Sequence, residues 1–324
     1  MSLSYGFLYK IFSVLIVIQI GLVGFMLTNS KSVNYDPSVA ASNNEILYEA
    51  KNQQNLELSS TSAIEKNIEK KIKLPILMYH HIDTIDNLPR SDKVGTGLRV
   101  SPEVFEKQLQ FLRQNNFTTV NSFQLQDYLD GKFDLPKNPI MLTFDDGFKD
   151  NYTNAFPLLK KYNMSGDFAI VTSVVGLSDH MSWDDLKIMK AAGMSFASHT
   201  DHHCTTAIKG KKGGFEDSPK AIEEIPCSNF GIQEKLSVGQ IKYEFEKSKT
   251  ELEKNLDIKV THLIYPFGFY NKQAEEIAKD LGYSFATTVQ PQQNNIVDFT
   301  NPFEIGRFRV TGQQAGELNG FFVN

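Results

Sequence analysis

The spacing of apolar positions changes twice along the chain. Over residues 11–27 they run without a charge, and Phe7, Leu8 and Tyr9 lengthen the run toward what a bilayer crossing requires. A signal peptide has a shorter apolar core with small residues just behind it, whereas the nearest such site here, Val39-Ala40-Ala41, lies well downstream. Residues 1–27 are therefore expected to be a membrane anchor that stays uncleaved, and no cysteine follows the run to accept a lipid. Residues 28–72 are rich in Ser, Asn, Gln, Glu and Lys and poor in aromatics, so they bury too little surface to offset the entropy of ordering and read as a flexible polar tether.

From Leu74 short apolar runs alternate with amphipathic stretches, the pattern of a parallel α/β arrangement. Strands are expected over 76–79, 118–120, 140–144, 168–171, 195–198, 262–265, 285–288 and 306–310. Ser101 followed by Pro102 caps a helix to about Gln114, and Ser182 caps another over 183–192 with Gly193 as its stop. Further helices fit 151–162, 238–255 and 272–281. The expected fold is α/β: a distorted (β/α) barrel with about seven strands, forming one catalytic domain over 73–324. The stretch 208–236 has no clear period and reads as a long loop inserted after a strand. Its Lys209-Gly210-Lys211-Lys212-Gly213-Gly214 lacks the spacing of a phosphate-binding loop.

Composition narrows the function. A formal charge of -5 over 324 residues argues against a general nucleic-acid binder. Cys204 and Cys227 are the two cysteines; they form no CxxC motif, and either one disulfide or two thiols is open to them.

Four clusters carry candidate chemistry. Thr143-Phe144-Asp145-Asp146-Gly147 places two carboxylates at the C-terminal end of an apolar strand, where α/β enzymes put their chemistry; a solvated turn is the plainer alternative. Ser198-His199-Thr200-Asp201-His202-His203 also ends a strand, and two imidazoles four residues apart suit a divalent metal if the chain coils there. Two histidines and one aspartate would leave a coordination position open for water, as in catalytic zinc sites. Tyr79-His80-His81 ends the first strand of the domain and offers a general acid, and Tyr265-Pro266-Phe267-Gly268 is a turn behind another strand.

With these motifs, the stretch from Leu74 to Val310 resembles the polysaccharide deacetylase family, the NodB-homology domain of carbohydrate esterase family 4. The resemblance implies that Asp146, His199 and His203 bind one divalent metal, zinc first with cobalt or nickel as alternatives, and that Asp145 is the base. Tyr79-His80 is similar to the pair that supplies the acid in the circularly permuted branch, which includes poly-N-acetylglucosamine deacetylases, so His80 is the implied acid and His81 its rival. The motif arginine is replaced by Ile264, and Arg307 or Arg309 on the last strand are candidates to orient Asp145. Phe267, through its backbone amide, and Tyr265 are implied at the oxyanion and substrate site; Trp183 either lines the sugar cleft or packs. The implied reaction removes acetyl groups from N-acetylglucosamine residues of a polysaccharide outside the cytoplasm, poly-N-acetylglucosamine or peptidoglycan. A glycoside hydrolase, whose two carboxyl groups flank the scissile bond, fits adjacent aspartates poorly. A silent carbohydrate-binding protein on the same fold is the remaining alternative.

Overall fold

The strand-forming runs assemble into a mostly parallel sheet that curls on itself. The computed structural model describes residues 71–86, 93–204, 225–227, 232–234, 236–292, 295–311 and 318. The strands are β1 (Lys71–Lys73), β2 (Ile76–Tyr79), β3 (His81–Ile82), β4 (Arg99–Val100), β5 (Thr118–Thr119), β6 (Pro139–Phe144), β7 (Asp167–Ile170), β8 (Ser195–Ser198), β9 (Ile225–Cys227), β10 (Ile232–Glu234), β11 (His262–Ile264), β12 (Phe285–Thr287), β13 (Ile296–Asp298) and β14 (Phe308–Arg309). The helices are α1 (Lys93–Gly97), α2 (Pro102–Gln114), α3 (Ser122–Leu129), α4 (Phe156–Tyr162), α5 (Trp183–Ala191), α6 (Val238–Leu256) and α7 (Lys272–Asp280), and a π-helical turn, Asn151–Ala155, leads into α4.

The main sheet runs β12-β11-β8-β7-β6-β2-β14 with every pairing parallel, and β5 adds to β6. One segment touches both of its edges. Ile305 forms a parallel bridge with Thr287 of β12, and three residues later Phe308 pairs with Leu77 of β2. Gly306 is needed there because a Cβ would meet the Gln290 carbonyl oxygen at 2.5 Å. This is the distorted (β/α) barrel expected from the strand and helix order.

Strand alternation sorts side chains into an outer and an inner set. Leu77, Tyr79, Leu142, Phe144, Phe168, Ile170, Phe196, Leu263 and Tyr265 join the core that includes Leu109 of α2, Leu159 of α4, Leu186 of α5, Phe245 of α6 and Ile277 of α7. Their neighbours belong to separate clusters, one containing Ile76, Met141 and Phe285 and another made of Ala169, Ala197 and Ile264. By the same alternation His80, Asp145 and His199, one residue beyond their strands, continue the inner set at the C-terminal ends.

At the opposite, N-terminal end of the strands the interior holds a polar plug. The carboxylate of Asp167 accepts from Ser122 Oγ at 2.7 Å and from Ser195 Oγ, and lies 2.6 Å from His262 Nδ1. His262 Nε2 is 3.1 Å from Thr287 Oγ1, and its ring stacks on Phe285. His262 is thereby placed away from the aspartate pair.

The structure amends some expectations. Lys71 and Ile72, at the end of the expected tether, belong to β1, which pairs antiparallel with β13 and sets Ile72 against the core; three residues are too few to show a period. The expected loop over 208–236 contains an antiparallel pair, β9 with β10. The helix expected over 151–162 begins as a π turn, and α3, with its Asn121 and Gln124 capping box, stands where none was foreseen. Cys204 is disulfide-bonded, and the chain has one other cysteine, Cys227. The apolar run over 11–27 lies outside the described residues, among which no helix is long and apolar enough to cross a membrane.

Candidate active site

Three ligand atoms converge where β6 and β8 end. Asp146 Oδ1 lies 3.3 Å from His199 Nε2 and 3.3 Å from His203 Nε2, and the three groups lie within 4.8 Å of one another. Two ligands held about 2.1 Å from one ion at the tetrahedral angle are separated by roughly 3.4 Å, so the spacing fits a divalent metal. Donor chemistry agrees. His199 Nδ1 is 2.7 Å from the Ile264 carbonyl oxygen, which can only accept, so Nδ1 carries a proton and Nε2 faces Asp146. Against the pull of burial, the hydrogen bond to Asp146 and the charges of Asp145 and Asp146 raise the pKa of His199, so a metal would have to displace a proton from Nε2. Burial lowers the pKa of His203 to about 4, against the pull of Asp146, so its imidazole is neutral and able to ligate at neutral pH.

This convergence relies on unusual backbone. Asp146 (φ 77°), Thr200 (φ 65°), His203 (φ 56°) and Phe267 (φ 56°) all lie in the left-handed region. Asp and His are among the types that tolerate this region, whereas for Thr200 and Phe267 it costs on the order of 1–3 kcal/mol and persists only where surrounding contacts over-determine it; all four sit in the loops that carry the site. The remaining left-handed residues other than glycine, Asn116, Asn163, Asp257 and Asn295, are of the types that tolerate it.

Asp145 is buried beside this cluster and held from one side. Arg307 Nη1 and Nη2 donate to its two carboxylate oxygens at 2.7 and 2.8 Å, while Nη1 also reaches Thr143 Oγ1 and Nε reaches the Thr288 carbonyl. Burial alone would raise the pKa of Asp145, but the charge and hydrogen bonds of Arg307 outweigh it and the carboxyl stays below its usual range. Of the two arginines proposed from the sequence, Arg307 makes this contact; Arg309 is exposed.

His80 is half-buried at the end of β2, its carbonyl fixed by Asn151 Nδ2 at 2.7 Å. Burial lowers its imidazole pKa; Asp146 and Asp145 pull it upward, and Arg309 and Arg307 push it down. His81 is engaged elsewhere: its Nδ1 is 2.6 Å from Asp150 Oδ2 and its ring stacks on Phe148 at 3.7 Å. The pair thus separates as strand alternation requires.

The turn after β11 places Phe267 half-exposed, its ring 4.7 Å from that of His203. Gly268 (φ 72°) passes so close to Val289 that a Cβ would lie 2.5 Å from it, which fixes the turn. Tyr265 corrects the expectation of a substrate contact. It is fully buried and stacked on Tyr270, because position 265 alternates to the helix side of the sheet while 264 faces inward. Trp183, at the first turn of α5, is half-buried and packs against the outer core.

One residue here was missed by sequence reasoning. Glu244 of α6 accepts from both the backbone N–H and the Nδ1 of His202 at 2.8 Å. Asp201, already part of the histidine cluster, accepts from Thr172 Oγ1 at 2.6 Å. Both hold the loop between His199 and His203, and of Glu244 only the amphipathic setting was visible beforehand.

Comparison with known proteins agrees with this geometry. Residues 132–286 match the family model described as polysaccharide deacetylase. The chain is 28% identical over 255 residues to YxkH of Bacillus subtilis, covering 79% of this chain and 77% of that protein. It is 27% identical over 228 residues to a poly-beta-1,6-N-acetyl-D-glucosamine N-deacetylase of Staphylococcus epidermidis, covering 66% and 71%. The solved structure of the Streptococcus pyogenes deacetylase PplD in complex with acetate superposes with a TM-score of 0.62 at 26% identity, covering 79% of this chain and 100% of that one. The stretch that matches the polysaccharide deacetylase model, residues 132–286, contains the aspartate pair, both metal-spaced histidines and the turn at Phe267, so the chain is similar to that family across the residues that carry most of the site.

Proposed function

We propose that the protein is a metal-dependent hydrolase that removes N-acetyl groups from N-acetylglucosamine residues of a cell-surface polysaccharide, with poly-N-acetylglucosamine ahead of peptidoglycan. The observation that carries the reading is the Asp146, His199 and His203 cluster beside an Asp145 held ionised by Arg307. The choice of polymer rests on the resemblance to the Staphylococcus epidermidis enzyme.

Asp146, His199 and His203 would hold the ion, and zinc suits two imidazoles and a carboxylate, as do cobalt and nickel. When bound, a divalent ion supplies Lewis acidity toward the amide carbonyl and brings the pKa of water down to about 7. Asp145 takes the proton from the attacking water. Arg307 keeps that carboxylate ionised and aimed, so the acceptor is ready before substrate arrives. The backbone N–H of Phe267 donates to the oxygen that gains charge as the carbonyl carbon becomes tetrahedral. His80 would protonate the leaving nitrogen from its imidazolium form, which its lowered pKa makes the minor form near neutral pH, and acetate and a free amine depart. The amine adds positive charge to the polymer.

Residues 1–27 would anchor the enzyme in the membrane, with the catalytic domain outside the cytoplasm, a compartment that the disulfide at Cys204 suits. The test is acetate release by the full-length protein from poly-N-acetylglucosamine and, separately, from peptidoglycan, with and without chelator and in D145N. Release from one polymer, abolished by both treatments, supports the reading; no release from either by a zinc-loaded protein overturns it in favour of a silent binder.

A further inference from the structure

The loop between the two histidines is held at several points. His199 N–H donates to the Ile170 carbonyl at 3.0 Å, and Ser173 N–H donates to the Asp201 carbonyl at 3.0 Å, so the first half is tied to the chain leaving β7. Cys204 N–H reaches Thr200 Oγ1 at 3.2 Å. Between these ties stands His202, the residue whose following peptide sets the left-handed φ of His203.

His202 is gripped from α6. Both carboxylate oxygens of Glu244 are used on this residue, Oε2 by its backbone N–H and Oε1 by its Nδ1, each at 2.8 Å. Glu244 is 6% exposed, and its carboxylate lies 2.8 Å from His202 Nδ1, which is also 3.3 Å from Asp201 Oδ2. A buried carboxylate facing no lysine or arginine is a poor source of stability. Its two-point grip on a backbone N–H and a ring of the same residue fixes both the main chain and the side chain of His202. Released, the peptide between residues 202 and 203 can return to the right-handed region, which carries His203 Nε2 away from Asp146.

We propose that Glu244 is a positioning residue for the metal site, holding His203 in its ligating pose through His202. The inference rests on the reading of Asp146, His199 and His203 as the metal ligands. Outer partners of metal ligands typically change affinity 10- to 100-fold when removed. The full-length protein, stripped of metal, is titrated with zinc calorimetrically, and the unfolding midpoint of each metal-free variant is recorded alongside. E244A is expected to bind zinc about 10- to 100-fold more weakly. E244Q keeps the grip without the charge: its amide oxygen accepts the backbone N–H, and its NH2 donates to the Nδ1 of the other His202 tautomer. It is expected to stay within about threefold of wild type, a difference well under a tenfold step. H202A, which retains the backbone half of the grip, falls between, and carries the test if E244A does not fold.

Equal zinc affinity in E244A and wild type, with only the metal-free midpoint lowered, overturns the proposal in favour of a purely structural role. E244Q falling as far as E244A overturns it too, because charge and not grip would then be the cause. A wild-type protein that binds no zinc overturns the metal-site reading and this inference with it, so the two failures are told apart by the wild-type titration.

Discussion

Replacing Arg307 with Met removes the one cation bonded to Asp145 among the described residues and keeps most of the side-chain volume. The carboxylate is 2% exposed, so water cannot take over the two hydrogen bonds that it loses, and Thr143 Oγ1 and the Thr288 carbonyl each lose a donor as well. Removing one partner of a buried ion pair costs about 3–5 kcal/mol, because it strands the other charge. For a domain of roughly 250 residues each kcal/mol moves the midpoint by about 2–4 °C, so R307M is expected to unfold about 6–20 °C below wild type. Catalysis should suffer separately. A misaimed or protonated base forfeits most of the general-base contribution, about 10²- to 10⁴-fold in kcat/KM. The assays are thermal unfolding followed by circular dichroism and acetate release measured well below the variant's midpoint. R309M is the control; being exposed and off the carboxylate, it should stay within about 0.5 kcal/mol. An R307M protein that loses less than about 1 kcal/mol and turns over normally would falsify the claim that Arg307 holds the base.

Three further outcomes are expected. H80A should lose at least about 100-fold in turnover, whereas H81A should stay within a few-fold while lowering the midpoint, since Asp150 loses a partner at 2.6 Å; similar turnover losses in both would contradict the assignment of the acid. Y265F should leave turnover unchanged and stability equal or up to about 1 kcal/mol higher, because the buried Tyr265 hydroxyl has no hydrogen-bond partner among the described residues; a loss of kcat would return Tyr265 to the substrate site. Glu275 is pushed up to about 7 by burial and by the neighbouring Glu304. Its raised folded-state value means that the folded protein holds a proton which the unfolded chain releases near pH 4.5, so this stability is present below that pH and is lost as pH rises through 7. Urea denaturation at pH 5 and pH 8 should reveal a fall on the order of 2 kcal/mol that E275Q abolishes, and an equal fall in E275Q would place its origin elsewhere.

Several strands of the barrel were legible because short apolar-rich runs bounded by turn residues leave few other readings; β2 and β8 fall where the pattern puts them. Pairs such as β3 with β4 are two residues long and carry no period, so only the folded chain reveals them. The aspartate pair and the two histidines were legible because each cluster is local in sequence. Arg307 was reachable by asking what could replace a missing charge, but Arg309 has the same parity along the chain, and only the folded structure separates the buried Arg307 from the exposed Arg309. Tyr265 was misplaced for want of the same rule: Ile264 faces inward, so its neighbour cannot. The grip of Glu244 on His202 spans 42 residues and pairs two side chains that have no shared motif. Nothing in the linear pattern links them.

The arginine that completes the aspartate pair arrives late. Arg307 lies 162 residues beyond Asp145, in the segment that bridges both edges of the sheet. During synthesis Asp145, Asp146, His199 and His203 leave the ribosome long before the residue that holds the Asp145 carboxyl below its usual range. A nascent chain, or one clipped ahead of position 305, would have the motifs of a deacetylase and an unaimed base. The buried carboxylate of Asp145 therefore gains its guanidinium partner only once the final strand has docked.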